Sequence, residues 1–287
     1  DKEDDRMVHV NIQSANIEPV FFAFRTQREL EDILYKSATS EPEYDFTDEN
    51  GFGHKFWVIS DDALIERITE LFSDRVDAFY IADGHHRSAA AARVGEERAA
   101  ANPSHRGDEE YNYFMAVCFP DDQLKVMDYN RVVKDLNGLV PSQIIGMLGE
   151  HFDIMCQGES VYAPSELHTF SMYLEGKWYE LKARPDTYHG ADLVESLDVS
   201  ILSKYVLDEI LGIKDLRRDP RIDFVGGIRG LGELKRRVDS GEMKIAFALY
   251  PVTMEQIEDI SDNHFIMPPK TTWFEPKLRS GLAIHTF

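Results

Sequence analysis

The chain is poor in positive charge, and it contains no long hydrophobic run. Its 287 residues include 31 lysines and arginines against 52 aspartates and glutamates, a formal net charge of −21. Such an acidic surface repels nucleic-acid phosphates and anionic lipids, so the composition predicts no nucleic-acid partner and no membrane partner. No apolar run approaches the roughly 20 residues of a membrane span, and no signal-peptide pattern opens the chain. These absences predict a cytoplasmic protein.

Cysteine is also scarce, and several catalytic motifs are missing. Cys118 and Cys156 are the two cysteines, and both lie in apolar, strand-like segments, which predicts buried free thiols rather than a disulfide. No CxxC pair indicates a structural zinc site, and neither GxSxG nor HExxH occurs. An acidic soluble enzyme and a protein-binding module both remain open at this point.

Strand and helix patterns alternate along most of the chain. The first half predicts strands at 17–24, 53–59 and 76–82, and helices at 27–37, 61–73 and 88–101, the last broken only at Gly95. The second half predicts hairpins over 111–129 and 168–183, a helix at 198–213 capped by Asp198, and a strand–helix–strand–helix series over 221–263. The pattern predicts an α+β (mixed α/β) fold with regions 1–135 and 136–287, or a single interwoven domain.

The segment FYIADGHHRSAAA (79–91) concentrates polar chemistry where a predicted strand meets a predicted helix. A helix start carries unpaired N–H groups and partial positive charge, which favour a bound anion. Gly84 permits a tight turn and close ligand approach, and Arg87 can grip a phosphate with its planar fork. These residues predict an anion site in a chain that otherwise repels anions.

The same turn contains three groups suited to catalysis. His85 and His86 can donate hydrogen bonds, exchange a proton near neutrality or bind a metal. Asp83 can hold Mg²⁺, orient a histidine or deprotonate a hydroxyl. The structural alternative is that Asp83 caps the helix, Gly84 serves the turn, and the histidines are exposed loop residues. Five consecutive groups of this kind at one junction favour the functional interpretation.

A second cluster, IMPPKTTWFEPKLRSG (266–281), brings cations to a proline-stiffened segment. Lys270 and Lys277 supply charge, and Thr271 supplies a hydroxyl. The alternative is a C-terminal strand bounded by prolines with solvated lysines. The glycine-rich stretch VGGIRG (225–230) does not match a phosphate-binding GxxxxGK[ST] loop, so turn glycines are the favoured interpretation.

Two motifs together resemble the bacterial and archaeal family known as domain of unknown function 1015. They are IADGHHR (81–87) and MPPKTTWFEPKLRSGL (267–282), supported by KIAFALYPVTMEQIEDI, RMVHV and LDVSILSKYVLDEILGI. Relatives usually carry a further N-terminal segment with a PYDV-like motif, so its absence predicts a truncated chain. Where relatives have a tyrosine-rich helix start after DGHHR, this chain has Ser88 and alanines.

The resemblance extends distantly to the ParB/sulfiredoxin superfamily and its free-serine kinases, which carry a very similar DGHHR turn. It implies a ParB/sulfiredoxin-like core with an additional C-terminal α/β region. It also implies a nucleotide or phosphoryl site built on Gly84, His85, His86 and Arg87. With the roles open to the Asp83 carboxylate, the predicted catalytic residues are Asp83, His85 and His86. The phosphate-binding set it suggests, once the second cluster is added, is Gly84, Arg87, Ser88, Lys270, Thr271 and Lys277.

The leading hypothesis is a phosphotransferase or phosphohydrolase acting on a small metabolite. Genes of the family tend to lie beside serine-biosynthesis genes, which suggests serine or phosphoserine as substrate, with ATP or ADP and Mg²⁺ held by Asp83. The alternative is a non-catalytic nucleotide-binding regulatory module. A third interpretation, metal-dependent hydrolysis centred on the histidines, is disfavoured because adjacent side chains diverge.

Overall fold

The computed structural model describes residues 2–49, 51–188, 190–274 and 278–287, and its mixture of helices and mainly antiparallel sheets confirms the predicted α+β class. Its α-helices are α1 (Lys2–Gln13), α2 (Arg28–Ser37), α3 (Asp62–Arg75), α4 (His85–Ala101), α5 (Pro141–Leu148), α6 (Asp198–Leu202), α7 (Leu231–Asp239) and α8 (Met254–Asp262). Short 3₁₀ segments lie at Glu110–Asn112, Asp121–Gln123, Pro185–Thr187 and Gly227–Arg229.

The strands are short in the first part of the chain and longer in the second. They are β1 (Ala15–Asn16), β2 (Val20–Phe24), β3 (Tyr44–Thr47), β4 (Gly53–Phe56), β5 (Tyr80–Asp83), β6 (Ala116–Pro120), β7 (Val126–Met127), β8 (Tyr129–Val133), β9 (Phe152–Gly158), β10 (Thr169–Leu174), β11 (Lys177–Ala183), β12 (Ile222–Gly226), β13 (Ile245–Leu249), β14 (Trp273–Phe274) and β15 (His285–Thr286). The chain divides into two compact units, residues 1–124 with 276–287, and residues 125–275. The domain division near residue 135 stays a prediction.

The first unit contains a three-stranded sheet in the order β5-β2-β6. Strand β2 pairs antiparallel with β5 and parallel with β6. Phe24 of β2 packs with Leu30 and Leu71 in one core cluster. Helix α4 packs against α1 through Met7, Ala90 and Val94. This sheet positions the end of β5, and therefore the DGHHR turn.

The second unit contains a six-stranded antiparallel sheet in the order β12-β8-β13-β10-β11-β9. The central strands β8, β10 and β13 are buried along their whole length, and β13 is accordingly apolar throughout, whereas β8 also buries Asn130 and Arg131. Trp178, Tyr173 and Val132 are fully buried in its core. The predicted hairpin over 168–183 is confirmed, and it turns at Glu175 and Gly176, both with positive φ.

The predicted hairpin over 111–129 is wrong. Strand β6 pairs with β2, and β7 pairs with β14, so the two segments belong to different sheets. The residues between them do not form a hairpin turn, because the Asp121 carboxylate accepts hydrogen bonds from the Thr26 backbone N–H at 2.9 Å and its hydroxyl at 2.5 Å. A side chain from beyond the end of β2 therefore holds the connection.

The helix predicted over 198–213 also differs in detail. Residues Asp198–Leu202 are α-helical, and Ser203–Asp208 continue as a π-helix. Asp198 is the first helical residue rather than the N-cap, because its carboxylate accepts from the backbone N–H of His168 at 2.9 Å and bonds its ring Nδ1 at 3.0 Å. Burial raises the pKa of Asp198 despite this histidine. A distant partner has replaced the expected capping bond.

The predictions for the cysteines and for Gly95 are each corrected in part. Both thiols are free, but Cys156 is exposed, whereas Cys118 is partly buried and burial raises its pKa to about 11. Helix α4 runs through Gly95 without a break. A Cβ there would lie 2.7 Å from the carbonyl oxygen of Tyr111, so glycine permits close packing.

Among the described helices, none has the length and apolar character needed to cross a membrane.

Candidate functional site

The DGHHR turn is built by a strand end, one left-handed glycine and a helix start. Strand β5 ends at Asp83, Gly84 adopts φ 97° and ψ 26° as N-cap, and α4 begins at His85. The helix therefore starts three residues earlier than the predicted 88. His85, His86 and Arg87 form its first turn instead of a loop, which fixes the directions in which their side chains leave the backbone.

Some backbone donors of this helix start are already used. The N–H groups of Arg87 and Ser88 both donate to the Gly84 carbonyl at 2.9 Å, and the Gly84 N–H donates to Asp83 Oδ1 at 2.8 Å. The amides of His85 and His86 precede the first helical hydrogen bond, and neither has a backbone acceptor within the described residues. Two amides, rather than the whole first turn, are therefore available for an anion.

Gly84 is required both for its backbone angle and for the position of Arg87. A Cβ at residue 84 would lie 2.8 Å from Arg87 Nε and 2.9 Å from Arg87 Nη2. The guanidinium thus lies directly over the glycine. Any larger residue would strain the turn and displace the cation.

Replacing Gly84 with alanine is expected to lower the free energy of unfolding by about 1–2 kcal/mol, because an L-residue is strained at positive φ. Urea unfolding followed by circular dichroism measures the change. Gly53→Ala is the matched control in the same unit, since its backbone is ordinary and a Cβ there would meet no atom within 4 Å. Equal unfolding midpoints for the two variants would contradict the assigned role of Gly84.

Arg87 belongs to an ion cluster that the sequence patterns did not reveal. Its Nη1 donates to Glu18 Oε2 at 3.0 Å, and Arg6 Nη1 lies 3.8 Å from the same oxygen. Asp83 Oδ2 lies 4.0 Å from Arg87 Nη2. The Arg87 Nε is buried and has no partner within the described residues. A guanidinium with an unused donor can bind a further acceptor.

The two arginines keep the Glu18 carboxylate ionised. Burial alone would raise its pKa, but the hydrogen bond from Arg87 and the charges of Arg6 and Arg87 outweigh burial and leave the pKa below its ordinary value. Glu18 therefore remains an anionic partner for Arg87 at neutral pH. Glu18 stands directly before the buried Pro19 and strand β2, and this position is the sequence signal that could have identified it as a partner of Arg87.

The DGHHR residues line one open groove of about 530 Å³ in the first unit. Its other walls are Asp5 and Arg6 of α1. His85 and His86 are exposed, and the Asp83 side chain is 42% exposed. Ser88 is half-buried and its hydroxyl donates to the His85 carbonyl at 3.0 Å. The structure thus brings Asp83, His85, His86 and Arg87 to one surface with Arg6.

Lys270 and Thr271 of the second predicted cluster belong to the second unit, where a buried arginine holds Lys270. Arg131 is 1% exposed, and it donates to the Tyr129 carbonyl and, at 2.8 Å, to the Lys270 carbonyl. Lys270 has a positive φ of 62°, an uncommon angle for a residue with a side chain. Its ammonium donates to the Tyr129 hydroxyl at 3.1 Å and lies 5.6 Å from the centre of the Phe224 ring.

The remaining residues of that cluster are placed as follows. Thr271 is buried, and its hydroxyl donates to the Pro268 carbonyl at 2.6 Å. Lys277 lies outside the described residues. A phosphate-binding role for Lys270, Thr271 and Lys277 stays a prediction. The VGG glycines serve packing, because a Cβ on Gly226 would lie 2.7 Å from the Trp273 ring.

Metal ligands are not concentrated anywhere in the described part of the chain. Residues 2–49, 51–188, 190–274 and 278–287 contain no group of three or more histidine, cysteine, aspartate or glutamate side chains arranged to hold an ion. A Mg²⁺ held by one carboxylate and by phosphate oxygens of a ligand needs no such group. Asp5 and Asp83 are the carboxylates that line the groove.

Comparisons with known proteins give one family and several distant structures. The family described as "Protein of unknown function (DUF1015)" matches residues 1–200. No curated protein matches the chain. A free serine kinase in complex with AMP is 15% identical, with a TM-score of 0.42 over 95% of this chain and 79% of the kinase. C-terminally truncated SbnI from Staphylococcus aureus is 10% identical, with a TM-score of 0.43 over 97% of this chain and 76% of SbnI. A conserved hypothetical protein from Pyrococcus furiosus is 14% identical, with a TM-score of 0.39 over 97% and 86%.

Proposed function

The chain belongs to the DUF1015 family of proteins of unknown function, and we propose that it binds a phosphate-bearing metabolite at the DGHHR turn and transfers or hydrolyses its phosphoryl group. One observation carries the proposal. In a chain of net charge −21, two arginines and two amides of a helix start face one open groove beside Asp5 and Asp83. The fork of Arg87 and the helix-start amides supply the donors that a phosphate needs, and the arginines offset the two carboxylates.

Phosphoryl transfer depends mainly on positioning and on stabilising charge, so this groove needs no nucleophilic side chain of its own. Arg87 would bind two phosphate oxygens through its fork, and Arg6 would add charge from α1. The His85 and His86 amides would donate to the same phosphate. An imidazole of His85 or His86 would steady the transferring group, and Asp83 would orient the attacking hydroxyl or water.

The finer assignments rest on the family resemblance. It suggests serine or phosphoserine as the small metabolite and ATP or ADP as the nucleotide. Mg²⁺ bound to Asp83 and to phosphate oxygens would neutralise charge on the transferring group. A cytoplasmic location accords with such a substrate.

A combined binding and turnover experiment tests the proposal. Calorimetric titration with ADP and with phosphoserine measures binding, and an assay with ATP and serine measures phosphoserine formation and phosphate release. We expect binding in the wild type and reduced turnover in His86→Ala. Tight binding without any product would favour the alternative, a nucleotide-binding regulatory module. Turnover that is unchanged in both His86→Ala and Arg87→Ala would contradict a site at this turn.

Glu18 is expected to compete with the bound anion for Arg87. Replacing it with glutamine removes a negative charge that lies 3.0 Å from the guanidinium, so sulfate should bind roughly three- to tenfold more tightly. Sulfate is the probe because its charge does not change near neutral pH. Calorimetric titration measures the affinity, and Glu70→Gln, at an exposed ion pair with Arg67, is the control of equal charge change. Weaker binding in Glu18→Gln would show that Glu18 instead holds Arg87 in place.

The effects of Glu18 on stability and on sulfate affinity should be lost at acidic pH. Its folded-state pKa lies below the ordinary value of 4.5, so its pairing with Arg87 stabilises the fold above that pH. This stabilisation is lost as the pH falls through the lowered pKa. The difference in sulfate affinity between wild type and Glu18→Gln should therefore persist at neutral pH and vanish only in acid.

A further inference from the structure

A separate cavity of about 240 Å³ adjoins the groove within the first unit. Arg6 and Arg87 line both spaces, so the two arginines form a shared wall. Away from them the lining is mainly apolar. Its apolar residues are Val10 of α1, Ala15, Ile17, Val20 of β2, Ala90 and Ala91 of α4, and Phe114 and Met115 before β6, and its polar residues include Glu18.

This cavity is partly open to solvent, and its volume is sufficient for a small ring. A cavity of about 150 Å³ lined by apolar side chains accommodates benzene. The space between α1 and α4 is larger than that, and it persists because Ala90 and Ala91 have the smallest apolar side chains.

The chemistry of the walls defines the kind of group that fits. Phe114 and Met115 offer aromatic and thioether contacts, both of which favour a flat ring. At the shared wall, Arg6 and Arg87 share the Glu18 carboxylate, and their second positive charge favours an anionic substituent on that ring. The groove on their other side is the place already assigned to phosphate. A ring and a phosphate joined covalently would therefore meet complementary surfaces at once.

We propose that this cavity receives an aromatic ring of the ligand whose phosphate lies in the DGHHR groove. The proposal rests on the proposed phosphate site, and it names the ligand class as an organic phosphate with a compact aromatic moiety. Inorganic phosphate and small aliphatic phosphates would fill only the groove. Ala91 then determines specificity, since a larger side chain at this position occupies the space of the ring.

Three phosphate esters of increasing ring size test the proposal: methyl phosphate, phenyl phosphate and 1-naphthyl phosphate. In calorimetric titrations the wild type should bind phenyl phosphate roughly tenfold more tightly than methyl phosphate, because a buried ring removes apolar surface from water. Ala91→Leu should abolish this preference and leave methyl phosphate binding unchanged. Val10→Phe fills the cavity from the opposite helix and should act in the same way.

Ala92→Leu is the matched control, because Ala92 follows Ala91 on α4 but is exposed and does not line the cavity. It should retain the wild-type preference. If methyl phosphate binds but phenyl phosphate binds no more tightly, the cavity assignment fails while the phosphate site stands. A ring preference that survives both Ala91→Leu and Val10→Phe would likewise overturn it. If no phosphate ester binds at all, the proposed function fails, and this inference fails with it.

Discussion

Replacing Arg131 with alanine is expected to lower the free energy of unfolding of the second unit by about 3–5 kcal/mol. The side chain is 1% exposed and donates to the carbonyls of Tyr129 and Lys270. Its guanidinium carbon also lies 5.5 Å from the centre of the Phe224 ring. Alanine leaves two carbonyls without this donor and opens a cavity the size of an arginine side chain. Urea unfolding monitored by tryptophan fluorescence measures the loss.

Arg131→Met separates the packing of this side chain from its hydrogen bonds. Methionine keeps much of the volume of the arginine side chain and removes its buried charge. Burial disfavours that charge, because it lowers the pKa of Arg131 to about 10. Arg131→Met should therefore lower the free energy of unfolding by less than Arg131→Ala does. Amide exchange at 268–271 should accelerate in both variants, because Lys270 loses the bond to its carbonyl. Arg218→Ala is the control, with a side chain 89% exposed in the same unit, and equal midpoints for Arg131→Ala and Arg218→Ala would contradict the prediction.

The DGHHR turn shows which part of a site local sequence can predict. A strand, a glycine and a run of helix formers were sufficient to predict a strand–helix junction over 83–87, because each preference acts within a few residues. The exact helix start was missed, since Gly84 in the left-handed region lets the histidines join the first turn. Helix limits depend on such cap geometry, which the one-letter pattern does not encode.

The partners of Arg87 lay beyond prediction because they come from distant parts of the chain. Glu18 is 69 positions away, and Arg6, the second cation beside Glu18, belongs to a helix that the sequence patterns did not predict. Their sequence surroundings are those of ordinary charged residues. Only the antiparallel pairing of β2 with β5 places the segment before β2 beside the DGHHR turn.

The difference between local preference and distant contacts also explains two errors in the predicted fold. Asp198 has the composition of an N-cap, but the backbone N–H and ring of His168, 30 positions earlier, take its carboxylate. Strands β6 and β7 are close in sequence and look like a hairpin, yet each finds a better partner elsewhere. Tertiary pairing overrode local preference in both cases, whereas the 168–183 hairpin succeeded because its partner strands are adjacent and its turn residues fit.

Arg87→Ala is expected to weaken the binding of a phosphate-bearing ligand roughly 10- to 150-fold, the effect of losing charge-assisted hydrogen bonds worth about 1.5–3 kcal/mol. Calorimetric titration with ADP and with sulfate measures the change. Arg93→Ala is the matched control on the same helix, because its guanidinium pairs with Glu3 at 2.7 Å and does not line the groove. Affinity in this control should equal that of the wild type.

Arg87→Lys distinguishes charge from geometry at the same position. Lysine retains the positive charge but lacks the planar fork that binds two oxygens, so its affinity should fall between those of the wild type and Arg87→Ala. Melting temperatures of all variants establish that each is folded, since loss of the half-buried pair with Glu18 also removes some stability. If Arg87→Ala binds ADP and sulfate as tightly as Arg93→Ala does, the phosphate does not lie against this guanidinium. His85 and His86 would then be exposed residues without a role in binding, as in the structural alternative for this motif.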